Sequence, residues 1–298
     1  SLAGGQYYVY DAHLDQRTGM PGEILAVHDD AVLVATGDHS LWIGSLRRKP
    51  QPGEETFKRP ARHVLAGQLA HVPVLDWSIA NAPFSDEPYQ PIRYRESGQV
   101  GELTLEFYNG AMSTEQCRRM VEALRWAKSR DTQVLLIKGG RGSFSNGVHL
   151  NVIQAAEDPG AEAWANIQAI DDVCEELLSA RQLVVSGVTG NAGAGGVMLA
   201  LAADIVFARA DIVLNPHYKS MGLYGSEYWT YSLPRAVGPA MAEQLTQACL
   251  PVSAAQALQL GMIQEIGPRC PDEFSLWLLQ RANSVLSDPT YAAVRERK

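Results

Sequence analysis

The sequence lacks any apolar run long enough to cross a bilayer, and its N-terminus lacks a charged segment followed by an apolar one. A membrane-spanning helix needs about 20 consecutive apolar residues, and a secretory signal needs both of those segments. We therefore expect a cytoplasmic location and no membrane partner. The first residue is Ser1 rather than Met, so we expect a fragment of a longer protein.

Cysteine is scarce, and its spacing fits neither a metal site nor a disulfide framework. The four cysteines form no CxxC pair, and no His lies at metal-ligand spacing from any of them. Structural zinc sites and disulfide-rich scaffolds require such clusters. We therefore expect reduced thiols and no bound metal.

The chain also lacks an excess of positive charge. Its 25 Lys and Arg residues face 33 Asp and Glu residues, which gives a formal net charge of −8. Nucleic-acid-binding proteins carry a basic stripe that neutralises phosphates, so we do not expect nucleic acid as a partner. The hydrophobic fraction of 46% over 298 residues suffices for one large domain or two modest ones.

Two regions differ in their pattern. Residues 7–46 read as short strands separated by turns at residues 28–30 and 37–40, which predicts a small β-barrel or sheet within a domain of residues 1–80. Residues 49–95 contain seven prolines, which disfavour regular elements. We expect one short helix near residues 60–70 and a linker at residues 81–98.

Strand and helix patterns alternate after this linker. Strands are predicted at residues 101–107, 133–138, 183–188 and 204–208, and helices at residues 113–130, 161–181 and 196–202. Ser113 and Gln116 have the spacing of a capping box at the start of the first of these helices. The alternation predicts an α/β core over residues 99–298.

Two glycine-rich turns, at residues 139–148 and 190–198, each follow a predicted strand. The second turn has some likeness to a dinucleotide-binding fingerprint, but the acidic residue expected about 20 residues later is not clearly placed. Turns on neighbouring strands can direct backbone N–H groups at a single oxygen atom. We therefore predict an oxyanion hole.

The same turns carry a likeness to a known family. Residues 102–105, 109–114, 144–148, 192–198, 203–205, 233–238 and 252–263 match its motifs in order and spacing. Over about residues 99–270 the chain resembles the enoyl-CoA hydratase/isomerase (crotonase) superfamily. The resemblance implies an α/β fold of the ClpP/crotonase spiral type, preceded here by a small β-barrel-like domain.

The resemblance also assigns binding residues. The two oxyanion donors of the family fall on the backbone N–H groups of Val148 and Gly195, and the ligand is expected to be coenzyme A as a thioester. The positions expected to bind coenzyme A, including cations for its phosphates, are Arg141, Lys138, Asn146, Gly147, Gly196 and Arg235.

The sequence departs from the family at both catalytic carboxylates of the hydratases. Met198 and His217 stand at those positions, so a two-carboxylate hydratase is disfavoured. Glu227 instead lies in a segment where the family has a glycine-rich loop, which predicts a small acyl pocket. We expect Glu227 to transfer protons if burial raises its pKa, with the partners Tyr228, Tyr218, His217 and Ser226.

Residues 1–80 resemble the C-terminal β-domain of formyltransferases that use formyl-tetrahydrofolate. Together with the crotonase-like part, this resembles a family of hydrogenase maturation factors. The resemblance implies formyl-CoA as substrate, its decarbonylation to CO and coenzyme A, and hydrogenase maturation proteins as partners. A tetrahydrofolate site is then expected only in a preceding domain. Two alternatives stay open: another short acyl-CoA hydrolase, decarboxylase or isomerase, and a non-catalytic coenzyme A-binding scaffold.

Overall fold

The computed structural model describes residue 2, residues 4–80 and residues 89–298. The strands are β1 (Tyr7–Asp15), β2 (Ile24–His28), β3 (Ala31–Ala35), β4 (Ser40–Arg48), β5 (Arg59–Pro60), β6 (Ile92–Ser97), β7 (Val100–Leu105), β8 (Ala111–Met112), β9 (Val134–Gly139), β10 (Ser143–Ser145), β11 (Gly147–Val148), β12 (Leu183–Val188), β13 (Asn191–Gly193), β14 (Ile205–Arg209), β15 (Val213–Asn215), β16 (Val252–Ser253) and β17 (Glu265–Gly267).

The α-helices are α1 (Ala61–Val64), α2 (Thr114–Lys128), α3 (Leu150–Gln154), α4 (Pro159–Leu178), α5 (Gly195–Leu201), α6 (Trp229–Val237), α7 (Pro239–Ala248), α8 (Ala254–Gln259), α9 (Pro271–Ser284) and α10 (Ala292–Arg295). Short 3₁₀ helices cover Ala66–Gln68, Tyr108–Gly110, Lys219–Met221 and Pro289–Tyr291. None of the helices in the described part of the chain is long and apolar enough to cross a membrane.

The chain forms two compact units. The smaller unit comprises Ser1–Gln90 with Leu150–Pro159, and the larger unit comprises Pro91–His149 with Gly160–Lys298. In the smaller unit, strands β1 to β4 form an antiparallel sheet in the order β1-β4-β3-β2, and β5 pairs with β4. Both predicted hairpins are present, because β2 pairs with β3 and β3 pairs with β4.

The larger unit is built on a six-stranded sheet in the order β17-β14-β12-β9-β7-β6. Its strands run parallel except β6, which pairs antiparallel with β7. All residues of β7 and β12 are buried, as expected of strands covered on both faces. Phe274 and Leu278 of α9 pack into the core with Val134 and Val185 of the sheet. The predicted α/β core is confirmed.

Strand β6 lies within the stretch predicted as a linker, residues 81–98. Residues 81–88 lie outside the described residues, and Ile92–Ser97 form strand β6 at the edge of the large sheet. Arg93 and Arg95 of this strand pair with Glu106 and Glu102. The charged residues and the prolines of this stretch predicted a linker. A strand at the edge of a sheet tolerates charged residues and proline as well, because one of its sides has no neighbouring strand.

The predicted capping box at the start of α2 is confirmed. Ser113 Oγ accepts a hydrogen bond from the Gln116 N–H at 3.3 Å, and Gln116 Oε1 accepts one from the Ser113 N–H at 2.8 Å. Ser113→Ala should lower the free energy of unfolding by about 1 kcal/mol, because a buried N–H loses its acceptor. Urea unfolding measures this change. Ser113→Thr keeps the hydroxyl and should stay close to the wild type, and equal losses in both variants would contradict the capping role.

Candidate active site

The two glycine-rich turns meet at one place in the larger unit. They follow β9 and β12, which are neighbours in the sheet, and the next strands, β10 and β13, also pair in parallel. A Cβ built onto Gly147 would lie 3.3 Å from the N and Cα atoms of Gly195 and 3.4 Å from Glu227 Oε1. The backbones of both turns and one carboxylate therefore surround the same point.

Glycine is required at two successive positions of the second turn. A Cβ at Gly195 would overlap the carboxylate of Glu227, and a Cβ at Gly196 would overlap the carbonyl oxygen of Ser145. Ala194, just before them, has a φ of 46°, a conformation that is strained for a residue with a side chain. Such strain is typical of functional turns.

The Glu227 carboxylate is anchored through one of its two oxygens. Oε2 accepts hydrogen bonds from Tyr218 Oη at 2.7 Å and from Ser226 Oγ at 2.8 Å. Oε1 faces Gly195 and Gly147. The side-chain bonds from Tyr218 and Ser226 both go to Oε2, so Oε1 is the oxygen that a ligand at the two turns would meet.

The loop before α6 holds Glu227 in an unusual backbone conformation. Glu227 and Tyr228 have φ values of 56° and 52°, so two consecutive residues with side chains are left-handed. The Glu227 N–H donates to Asp171 Oδ1 of α4 at 2.5 Å. This bond connects the loop before α6 to α4.

Burial governs the protonation of this carboxylate. Glu227 is 1% exposed, and desolvation raises its pKa, an effect that the nearby Asp171 strengthens. The hydrogen bonds from Tyr218 and Ser226 act in the opposite direction. Desolvation also raises the pKa of Asp171. A buried carboxyl with a raised pKa is suited to take up a proton and to return it.

Two cysteines and a tyrosine border Glu227 as neutral groups. Burial raises the pKa values of Tyr218, Cys117 and Cys174, and the charge of Glu227 raises each of them further. These groups therefore keep their protons at neutral pH. Glu227 and Asp171 contribute carboxyls with raised pKa values to this cluster.

Of the other residues expected to transfer protons, Tyr218 and Ser226 are hydrogen-bonded to the Glu227 carboxylate. Tyr228 is 42% exposed, while Tyr218 is buried and in direct contact with Glu227. His217 is buried, and its Nδ1 lies 3.3 Å from Ser220 Oγ. The structure thus brings Tyr218 and Ser226 to Glu227.

Most residues expected to bind coenzyme A have partners inside the protein. Lys138 forms an ion pair with Glu102 at 3.0 Å, and Arg235 Nη2 donates to the carbonyls of Leu201 and Ala203 at 2.6 and 2.7 Å. Asn146 Nδ2 donates to the Asn109 carbonyl at 2.6 Å. Arg141 is paired with the exposed Asp272. Gly147 and Gly196 lie in the two glycine-rich turns.

Asp171 is the residue of this site that the sequence analysis did not identify. It lies on α4, a helix whose buried positions include Ile170 and Cys174. An acidic residue beside an apolar stripe is a weak signal by itself, since many such residues are solvated. Only the fold brings it to the Glu227 N–H.

Across residues 2, 4–80 and 89–298, no group of three His, Cys, Asp or Glu side chains is arranged to hold a metal ion.

The raised pKa of Glu227 predicts a pH-dependent stability difference. The folded state retains this proton above the ordinary pKa of 4.5, so wild-type stability falls as the pH rises from 4.5 through the folded pKa. Glu227→Gln has no such proton, and it should therefore gain stability relative to the wild type between pH 4 and pH 8. Thermal unfolding across this range measures the difference in stability between the variant and the wild type. Glu273→Gln, at an exposed carboxylate of α9, is the control. A difference for Glu227→Gln that does not change with pH would contradict the raised pKa of Glu227.

Comparison with known protein families gives two matches. The family model described as enoyl-CoA hydratase/isomerase matches residues 96–296, and the one described as formyl transferase, C-terminal domain, matches residues 1–61. Among curated proteins, the hydrogenase maturation factor HoxX of Bradyrhizobium diazoefficiens is 44% identical over 298 residues, covering 98% of this chain and 50% of HoxX. The ethylmalonyl-CoA decarboxylase of Bos taurus is 24% identical over 62% of this chain and 63% of its own length.

Solved structures show the same pattern. HypX from Aquifex aeolicus, in complex with tetrahydrofolic acid, is 40% identical with a TM-score of 0.93, covering 99% of this chain and 52% of HypX. The enoyl-CoA hydratase of Bacillus halodurans has a TM-score of 0.61 at 20% identity over 70% of this chain and 85% of its own, a likeness in fold alone. The chain spans about half the length of HoxX and HypX.

Proposed function

Since the chain belongs to the enoyl-CoA hydratase/isomerase family, we propose that it binds formyl-CoA and decarbonylates it to CO and coenzyme A. The CO would serve as the ligand of a nickel–iron hydrogenase, and the natural partners would be hydrogenase maturation proteins. The similarity to HoxX and HypX over nearly the whole chain supports this assignment.

One observation carries the proposal. The Glu227 carboxylate occupies the space directly above Gly195, where a Cβ would overlap it. A carboxylate so close to the expected oxyanion donor leaves room for a very small acyl group. A formyl group has a single carbon and no chain, so its C–H can lie beside Oε1 while its oxygen faces the turns. This arrangement favours formyl-CoA over longer thioesters.

The binding step uses the backbone of both turns. The N–H groups of Val148 and Gly195 would donate to the formyl oxygen and polarise its carbonyl. Gly147 and Gly196 allow the close approach of the thioester to the two turns. Asn146 lies on the first turn and stabilises this turn through its hydrogen bond to the Asn109 carbonyl. These contacts would orient the formyl hydrogen towards Glu227 Oε1.

The chemical step moves one proton and two electron pairs. Glu227 Oε1 accepts the formyl proton, the C–H electron pair becomes the lone pair on the carbon of CO, and the C–S pair leaves with sulfur. The protonated Glu227 then returns the proton to the thiolate, which gives free coenzyme A. Tyr218 and Ser226 would hold Oε2 in place throughout. No oxidant or reductant is needed, and a raised pKa suits both proton transfers.

The phosphates of coenzyme A require cations. Arg141 is 76% exposed, lies on the first oxyanion turn and pairs with an exposed acid, so a phosphate could displace Asp272 at small cost. Lys138 and Arg235 are held by internal partners. We therefore assign the phosphate contact to Arg141 first.

The test of this function is product analysis on formyl-CoA. The chain should release CO and free coenzyme A in equal amounts, measured by CO binding to reduced haemoglobin and by thiol titration. Release of formate in place of CO would instead identify a thioester hydrolase. Tight binding of coenzyme A without turnover of any thioester would identify a scaffold.

A decarboxylase is the second candidate, favoured by the similarity to ethylmalonyl-CoA decarboxylase and by Met198, which stands where hydratases have a carboxylate. A decarboxylase would release CO₂ from malonyl-CoA or ethylmalonyl-CoA and no CO from formyl-CoA. Assays on these thioesters, with acetyl-CoA as the unreactive reference, separate the two functions.

A further inference from the structure

We propose that Asp171 is a positioning residue for this reaction: its carboxylate holds the backbone of Glu227 in the left-handed conformation that directs the Glu227 side chain towards Gly195. This inference rests on the function proposed above, because it gives Asp171 a role in the proton transfer by Glu227. It adds a residue of α4 to a site otherwise built from the two glycine-rich turns and the loop before α6.

The geometry of the loop requires such a partner. Glu227 and Tyr228 are both left-handed, with φ values of 56° and 52°. Residues with side chains are strained in this region, so the surrounding structure must hold them there. The 2.5 Å hydrogen bond from the Glu227 N–H to Asp171 Oδ1 does so at the first of the two residues.

The bond reaches across the fold rather than along the loop. Asp171 lies within α4, so its position is set by a helix whose neighbouring residues Ile170 and Cys174 are fully buried. A rigid helix therefore fixes the position of the Glu227 backbone. From this backbone Oε2 reaches Tyr218 and Ser226, and Oε1 faces the turns.

Asp171 also supplies a charge to the site. The titratable groups that face Glu227 are Tyr218 from the preceding loop, Cys117 from α2, and Cys174 and Asp171 from α4. The tyrosine and the cysteines are neutral, because burial raises their pKa values. Asp171 is therefore the one neighbour among these whose negative charge raises the pKa of Glu227.

Two substitutions separate position from charge. Asp171→Asn keeps an oxygen that can accept the Glu227 N–H but removes the charge, so the pKa of Glu227 should fall. Because the reaction needs ionised Glu227, the acid limb of the kcat profile should move to lower pH. Asp171→Ala also removes the acceptor. Displacement of the carboxylate should then lower kcat by about 10²-fold with KM nearly unchanged. Asp172→Asn, at the exposed neighbouring acid, should leave the kcat profile close to that of the wild type.

A second measurement does not depend on turnover. The infrared carboxylic acid band of Glu227, assigned by its loss in Glu227→Gln, should titrate at lower pH in Asp171→Asn than in the wild type. Wild-type kcat and an unmoved pH profile in both Asp171 variants would overturn the inference. If the wild type releases no CO, the proposed function fails, and the infrared band then decides: a Glu227 titration in Asp171→Ala that differs from the one in Asp171→Asn supports the positioning role, and identical titrations in the two variants overturn it. If Asp171→Ala does not fold, Asp171→Glu, which keeps the charge and displaces the acceptor oxygen, takes its place, and a wild-type titration and kcat in that variant overturn the inference.

Discussion

Glu227→Gln should lower kcat for CO release from formyl-CoA by about 10²- to 10⁴-fold, the usual contribution of a general acid or base. Gln keeps the volume of the side chain, and its amide oxygen can still accept the bonds from Tyr218 and Ser226. It cannot take up the formyl proton. Binding of coenzyme A should therefore change little, and the loss should appear in kcat measured under saturating formyl-CoA.

Two tyrosine variants control this prediction. Tyr218→Phe removes the 2.7 Å bond to Glu227 Oε2 and should lower kcat by about tenfold, the equivalent of 1.4 kcal/mol, since a hydrogen bond to a charged group contributes about 1.5–3 kcal/mol. Tyr228→Phe alters a side chain that is 42% exposed and should have a smaller effect. Near wild-type activity in both Glu227→Gln and Tyr228→Phe would contradict the assignment of proton transfer to the loop before α6.

Gly195→Ala should lower kcat/KM by at least about 10²-fold, comparable to the removal of one oxyanion donor. The added methyl group would overlap the Glu227 carboxylate and would displace it from the turn. The variant should remain folded if Glu227 moves, because a side-chain terminus shifts more easily than backbone. Steady-state kinetics and circular dichroism on the same sample measure both effects.

Gly142→Ala is the matched control for this substitution. Gly142 lies on the first glycine-rich turn, and a Cβ there would meet no atom within 4 Å. Its kcat/KM should stay close to that of the wild type. Equal losses at Gly142 and Gly195 would show that general loosening of the turns, rather than a collision with Glu227, accounts for the result. That outcome would remove Gly195 from the oxyanion hole.

Much of the fold follows from local patterns in the chain. The strand at Leu183–Val188 and the capping box at Ser113 were predicted from periodicity and spacing, and the structure confirms both. Strand β6 was not predicted, because its charged residues and neighbouring prolines match a linker as well as an edge strand. Pairing with β7 decides between the two, and that pairing is a contact between chain segments. The boundaries proposed for the three regions of the chain stay predictions.

The residue types of the site were visible in the sequence, whereas their arrangement was not. Both glycine-rich turns follow strands, so the chain itself indicates where backbone N–H groups are available. Spacing could not rank Tyr218 above Tyr228 as the partner of Glu227, since both are close to it in sequence. Their different burial separates them, and burial depends on packing against α4 and the turns.

The sequence by itself determined the order of strands and helices, the two turns that need glycine, and the absence of the hydratase acids at Met198 and His217. These are properties of single residues and their near neighbours. Tertiary structure alone decided that Glu227 lies over Gly195 and that its backbone N–H donates to Asp171. The reason is physical: a raised pKa and a hydrogen bond across 56 positions of sequence arise only when folding removes water and brings α4 to the loop before α6.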